Sequence, residues 1–203
     1  MIRYALHIMV FILFASAAGS QTRNFVWYTP STAETINGIG IGPMNSGSGS
    51  IRPPKQTVNG LQFELPGTGF LRFPLETPQR SYLQNAGIDR GGVEVNGVLA
   101  ALMGSAGVNT VNGVFISPFF GFADEVNGLS CNGINFIGAS DGLTLGIVNS
   151  VREGNGTSIG LYNSSEDFDG IQIGLFNLRE RGDGLQIGLI NIKGGSFFPF
   201  LNF

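Results

Sequence analysis

Glu166, Asp167 and Asp169 crowd into one short segment, and carboxylates so spaced could offer oxygen ligands to a hard cation. The rest of a calcium loop is missing around them, so the segment reads as a solvated turn. Asp124-Glu125 reads the same way. Arg181-Gly182-Asp183 spells an adhesion tripeptide, yet its Gly and Asp are also residues that a turn demands. Asn155-Gly-Thr157 and Asn163-Ser-Ser165 match the acceptor pattern for N-glycosylation. Gly38-x-Gly40-x-Gly42 has the glycine spacing of a phosphate loop, but no helix follows to receive a phosphate at its N-terminus. Glycoside cleavage would need two acids facing each other across one cleft, and the acids here fall mainly in turns.

Other chemistries are excluded by composition. His7 is the single histidine and lies in a segment expected to be removed, which eliminates histidine-based triads and zinc sites. Cys131 is the single cysteine, so neither an intrachain disulfide nor a Cys-rich metal site can form; it reads as a small apolar strand residue. Charged residues make up 12% of the chain, about half the usual share of a soluble domain. No catalytic, cofactor-binding or metal-binding residue is expected, and the chain does not read as an enzyme.

Residues 1–20 have the order of a secretory signal peptide. Arg3 supplies the positive start, Ala5 to Ala15 a mostly apolar run, and Ser16-Ala-Ala-Gly-Ser20 the small residues of a cleavage site. A transmembrane anchor would need about 20 apolar residues. Cleavage before Gln21 removes Arg3 and takes the formal charge from −3 to −4. Such mild acidity argues against nucleic-acid binding, which depends on basic stripes.

What must position any site is a repeat. The copies Asp141-Gly-Leu-Thr-Leu-Gly-Ile-Val-Asn149, Asn155 to Asn163, Asp169-Gly-Ile-Gln-Ile-Gly-Leu-Phe-Asn177 and Asp183-Gly-Leu-Gln-Ile-Gly-Leu-Ile-Asn191 step by 14 residues. Degenerate copies open at Asn96-Gly97, Asn112-Gly113 and Asn127-Gly128, and Asn37 to Asn45 and Asn59-Gly60 fit the same frame. Within a copy, Ile171, Ile173 and Leu175 alternate with Gly170, Gln172 and Gly174, which predicts a strand with one apolar face. The Asn-Gly or Asp-Gly pairs read as reversals, and polar segments such as Leu178–Gly182 read as connecting loops. One domain spans residues 21–203, with regular repeats over 96–192. Irregular insertions occupy 46–56 and 66–92, the second holding a short strand at Gly69–Phe73.

Two all-β architectures fit a one-strand unit. An antiparallel meander or barrel uses the reversals directly and is the favoured reading. A parallel β-solenoid instead makes each unit one coil and stacks Asn149, Asn163, Asn177 and Asn191 into a ladder. Against the solenoid, the connecting residues look too few and too polar for a second buried wall, and Val151, Phe168 and Leu178 occupy different offsets. In a barrel, Leu and Ile facing outward would give an outer-membrane protein in contact with lipid, and facing inward a soluble one. Phe197-Phe-Pro-Phe-Leu-Asn-Phe203 reads as a closing strand in which Pro199 requires an edge or a bulge.

The tandem copies and the aromatic ending resemble a family of bacterial surface-repeat proteins. These carry Gly-Leu-Gln-Ile-Gly-Leu-x-Asn units after a signal peptide, and their function is mostly unknown. The likeness runs from about Asn37 and is tight from Asp141 onward. It implies a bacterial origin and an envelope or surface location, and it brings no catalytic residues. Some relatives look lipid-anchored, and this chain lacks the cysteine for that. The expectation is an exported, non-catalytic β-repeat protein of the outer membrane or cell surface. The alternative is a secreted or periplasmic binding module that uses its loops.

Overall fold

A computed structural model of the chain describes residues 22–29, 31–43, 55–67 and 92–203. The expected leader, most of both insertions and the strand expected at Gly69–Phe73 lie outside the described residues. The described residues are almost wholly extended. The strands are β1 (Thr22–Tyr28), β2 (Thr35–Gly42), β3 (Lys55–Glu64), β4 (Gly92–Ala101), β5 (Ser105–Leu145), β6 (Val148–Ile159), β7 (Tyr162–Ile173), β8 (Phe176–Arg181), β9 (Gly184–Lys193) and β10 (Ser196–Asn202). No helix among them is long and apolar enough to cross a membrane.

The architecture is a parallel β-solenoid. From β1 to β9 every neighbouring pair is parallel, and equivalent repeat residues lie side by side: Asn24 beside Asn37, Asn37 beside Asn59, and Asn149 beside Asn163. The antiparallel meander or barrel is therefore overturned. A barrel needs its last strand to close on its first, whereas β1 pairs with β2 and β10 with β9, at opposite ends of the stack. β10 is the single antiparallel strand in the described sheet, and it folds back over β9 as the expected closing strand. Its register slips between Pro199 and Phe200, so the proline does fall at a bulge.

The phase of the repeat also differs from expectation. The strands break at Gly146-Ile147, Gly160-Leu161 and Gly174-Leu175, where mid-strand was expected. The polar connections are strand: Leu178 and Arg179 belong to β8. A second corner comes at Arg152 and Glu166, which the ladder between β6 and β7 skips. Two corners per coil return the chain to its starting direction, and that makes the next strand parallel.

The Asn-Gly and Asp-Gly pairs bend the chain without reversing it. Gly142, Gly156 and Gly170 hold φ of 136°, 140° and 147° inside continuous strands. A Cβ at Gly156 would strike the carbonyl oxygen of Gly142 one coil before it. The corner glycines are excluded for a different reason, because a Cβ at Gly160 would lie 2.6 Å from the Gly146 oxygen and 2.8 Å from Asn149 Nδ2. Close approach of successive backbones thus fixes both glycine columns.

The second buried wall, which the sequence seemed not to supply, is present. In the amino-terminal coils the interior is largely apolar, with Ile36, Val58, Val95, Leu99, Val111 and Phe115 fully buried, and Gln62 and Glu64 buried among them. Toward the carboxyl end it becomes polar, with Gln172, Asn177, Arg179, Gln186 and Asn191 buried. Phe168, whose irregular offset argued against a solenoid, is buried at a rung where its neighbours along the stack are Gly154 and Gly182. Val151, Ser165 and Arg179 fill the adjoining column. Volumes are thus matched between columns, and no single column needs to be uniform.

Gly156→Ala should combine an unfavourable positive φ with a backbone clash and cost about 3 kcal/mol. Thermal unfolding followed by circular dichroism should then show a melting temperature lower by about 10 °C. An unchanged melting temperature would contradict the close approach of coils at that column.

Candidate functional site

Stacking 14-residue coils in register puts like side chains on like, so polar columns become ladders. Inside, the Nδ2 of Asn135, Asn149, Asn163 and Asn177 each donates to the Oδ1 of the next asparagine at 2.7–2.8 Å. The second amide hydrogen donates to the carbonyl of Leu145, Ile159, Ile173 or Ile187, just before each corner. Asn191 ends the ladder by donating to the Gly188 carbonyl at 3.3 Å. Beside it, Gln186 Nε2 donates to Gln172 Oε1, and Asn202 of β10 donates to Gln186. The closing strand is thereby tied into the interior.

A second ladder runs along the outside of the other half. Asn37, Asn59, Asn96, Asn112 and Asn127 each donate to the asparagine of the coil before. From Asp141 onward acids occupy most of this column, and an ionised carboxylate can only accept. The backbone N–H groups of Asn155 and Asp183 accordingly donate to Asp141 and Asp169.

The acids therefore do not converge. Asp167 faces Arg181 at 3.4 Å, Asp169 caps the next coil and Glu166 stays in solvent. No group of three or more metal-ligating side chains gathers among the described residues. Glu125 accepts from Asn127, and Asp124 is half-buried. Within Arg181-Gly182-Asp183 the charges are also engaged: Arg181 with Asp167, and Asp183 with Lys193 at 3.4 Å. Asn163 is a fully buried rung, which excludes a glycan there, while Asn155 is exposed. Gly38, Gly40 and Gly42 are strand residues of β2. Cys131 lies on a strand as expected but is exposed, because its column faces outward.

Among the buried polar residues that sequence reasoning missed, Arg179 is the largest. It is fully buried and donates to the carbonyls of Phe168, Asp183 and Gly184 at 2.7–3.1 Å. Burial pushes its guanidinium below the usual value, opposed by Asp183 and then Asp169, and it remains a cation.

What the buried polar columns displace is apolar. Gln172 and Gln186 point in, so Ile171, Ile173, Leu185 and Ile187 point out. Leu145, Ile159, Ile173 and Ile187 form one ridge along the stack. Beyond the first corner, Ile147, Leu161, Leu175 and Leu189 form a second, with exposures of 60%, 55%, 43% and 56%. Gly146, Gly160, Gly174 and Gly188 floor an open groove between the ridges, and Phe200 of β10 closes its carboxyl end. This grooved apolar face repeats its side-chain pattern once per coil along the carboxyl-terminal coils.

Asn163→Ala should leave the Asn149 donor and the Asn177 acceptor unmatched in the interior, costing about 2–3 kcal/mol. Asp169→Asn, on the exposed column, should change stability by less than about 1 kcal/mol. Equilibrium urea unfolding of both variants checks the contrast, and equal effects would sink the inner ladder's primacy.

Comparison with family models, with curated proteins and with solved structures finds no match to this chain.

Proposed function

We propose that the chain is a non-catalytic β-solenoid of the bacterial cell envelope or surface, a rigid module that presents a side-chain pattern for binding. The observation that carries this reading is the division of labour between the two faces of the carboxyl-terminal coils. Side chains able to do chemistry, including five ladder asparagines, two glutamines and Arg179, are spent on coil-to-coil hydrogen bonds in the interior. The exterior carries instead a continuous apolar groove with no charged side chain along its lining. A surface of that kind is suited to holding a partner rather than to converting a substrate. The leader expected at residues 1–20 supports export, and the resemblance to surface-repeat proteins supports an envelope or surface destination.

The second reading, a secreted or periplasmic binding module, draws on the same groove and differs in destination. Expression of the tagged chain in a Gram-negative host separates the two. The proposal expects a processed product beginning at Gln21 in the envelope fraction, cleaved by protease added to whole cells. Processed protein confined to the culture supernatant or the periplasm would favour the second reading. An unprocessed cytoplasmic product would overturn export altogether.

A further inference from the structure

We propose that the grooved apolar face is the seat of a second copy of this chain, giving a two-fold dimer. The inference deepens the binding role above and commits it to one occupant. Three features of the face point to a copy. The first is period. Each ridge repeats once per coil, about 4.8 Å along the stack, which is the spacing of hydrogen-bonded strands. A partner that fills every position of the groove must repeat its side chains at the same interval, and another copy does.

The second is shape. A glycine-floored groove lies directly beside the protruding ridge of Ile147, Leu161, Leu175 and Leu189. Rotation about a two-fold axis parallel to the stack, placed between groove and ridge, sets the ridge of each copy into the groove of the other. Coil then meets like coil, and Leu161 of one copy comes to rest over Gly160 of the second. The contact is isologous and self-limiting, as in most homodimers.

The third is exposure and charge. Ile147, Leu161, Leu175, Leu189 and Phe200 are 43–69% exposed, and Ile159 and Ile187 beside them 38%, a contiguous apolar patch of the kind that marks an interaction surface. An anionic lipid surface fits less well, because interfacial binding draws on Lys and Arg beside the apolar face. Here Arg152, Arg181 and Lys193 are paired with Glu153, Asp167 and Asp183. The exposed column near them carries Asp141, Asp169 and Asp183, which would repel such a surface.

Analytical ultracentrifugation of the purified chain tests the proposal. The expected result is a dimer that persists at high salt, and a monomer for the double variant Leu161→Glu/Leu175→Glu, with association weakened about a hundredfold or more. Both positions are exposed, so the far-ultraviolet circular dichroism should not change. Should the double variant misfold, Leu161→Cys in a Cys131→Ser background takes its place and should crosslink to dimer with a short bismaleimide. A chain that is monomeric at every concentration, or a dimer indifferent to the glutamates, would overturn the proposal. Flotation of a monomer with phosphatidylglycerol vesicles would overturn it too and assign the face to lipid. A monomer found in the envelope fraction would reject the dimer while leaving the surface reading intact. A dimer recovered from the supernatant alone would do the reverse.

Discussion

The amide-to-amide hydrogen bond from one coil to the next is the interaction on which this fold depends. Asn135, Asn149, Asn163 and Asn177 each donate once along the stack and once across their own coil to the carbonyl that precedes the corner. One side chain therefore fixes both the register between coils and the position of the turn. A net hydrogen bond contributes only about 1 kcal/mol, but leaving a buried amide unpaired costs more. Register error is penalised on that account: slipping a coil by one residue would strand the rungs on either side of it. The glycine columns follow from the same closeness, since coils held near enough for the ladder leave no room for a Cβ at the facing backbone.

A solenoid interior made of amides differs from an apolar one in what it demands of its neighbours. The amino-terminal coils tolerate Val, Leu, Ile and Phe in turn, because apolar packing is non-directional and asks only for matched volume. The carboxyl-terminal coils repeat far more strictly, because a hydrogen bond needs its partner in one place. The regularity that is tight from Asp141 onward and degenerate before it thus mirrors the change from a largely apolar to a largely polar interior. Arg179 shows how far directionality reaches: an irregular residue is accepted there once three carbonyls have made a place for it.

The period, the alternation and the all-β class were legible in the sequence, since they depend on residue spacing alone. Strand direction and phase were not. Asn-Gly and Asp-Gly are ambiguous: they suit a hairpin because both residues tolerate positive φ, and Gly156 uses that φ to bend within a strand instead. The side of the alternation that faces inward was equally hidden. Ile and Leu ordinarily point to the core, and only the ladder, visible once coils are stacked, makes Gln172 and Gln186 the buried members. Asn149, Asn163, Asn177 and Asn191 at one offset did carry the solenoid signal. The polar second wall seemed to weigh against it because a wall was expected to be apolar. Of the grooved apolar face, the residues were readable and their outward aim was not.

Inward amides and outward aliphatics are two sides of a single consequence. In a strand of alternating residues, committing one set to the ladder sends the other set to the surface, whatever its polarity. The same 14-residue step that aligns Asn163 with Asn177 aligns Leu161 with Leu175, so a column that hydrogen-bonds inside is matched by a ridge outside. The exterior pattern is therefore as strictly periodic as the interior that produces it. A surface generated in this way repeats at strand spacing, and partners that repeat at strand spacing can use all of it. The chemistry of the ladder thus reaches beyond stability to the kind of surface that this chain can offer.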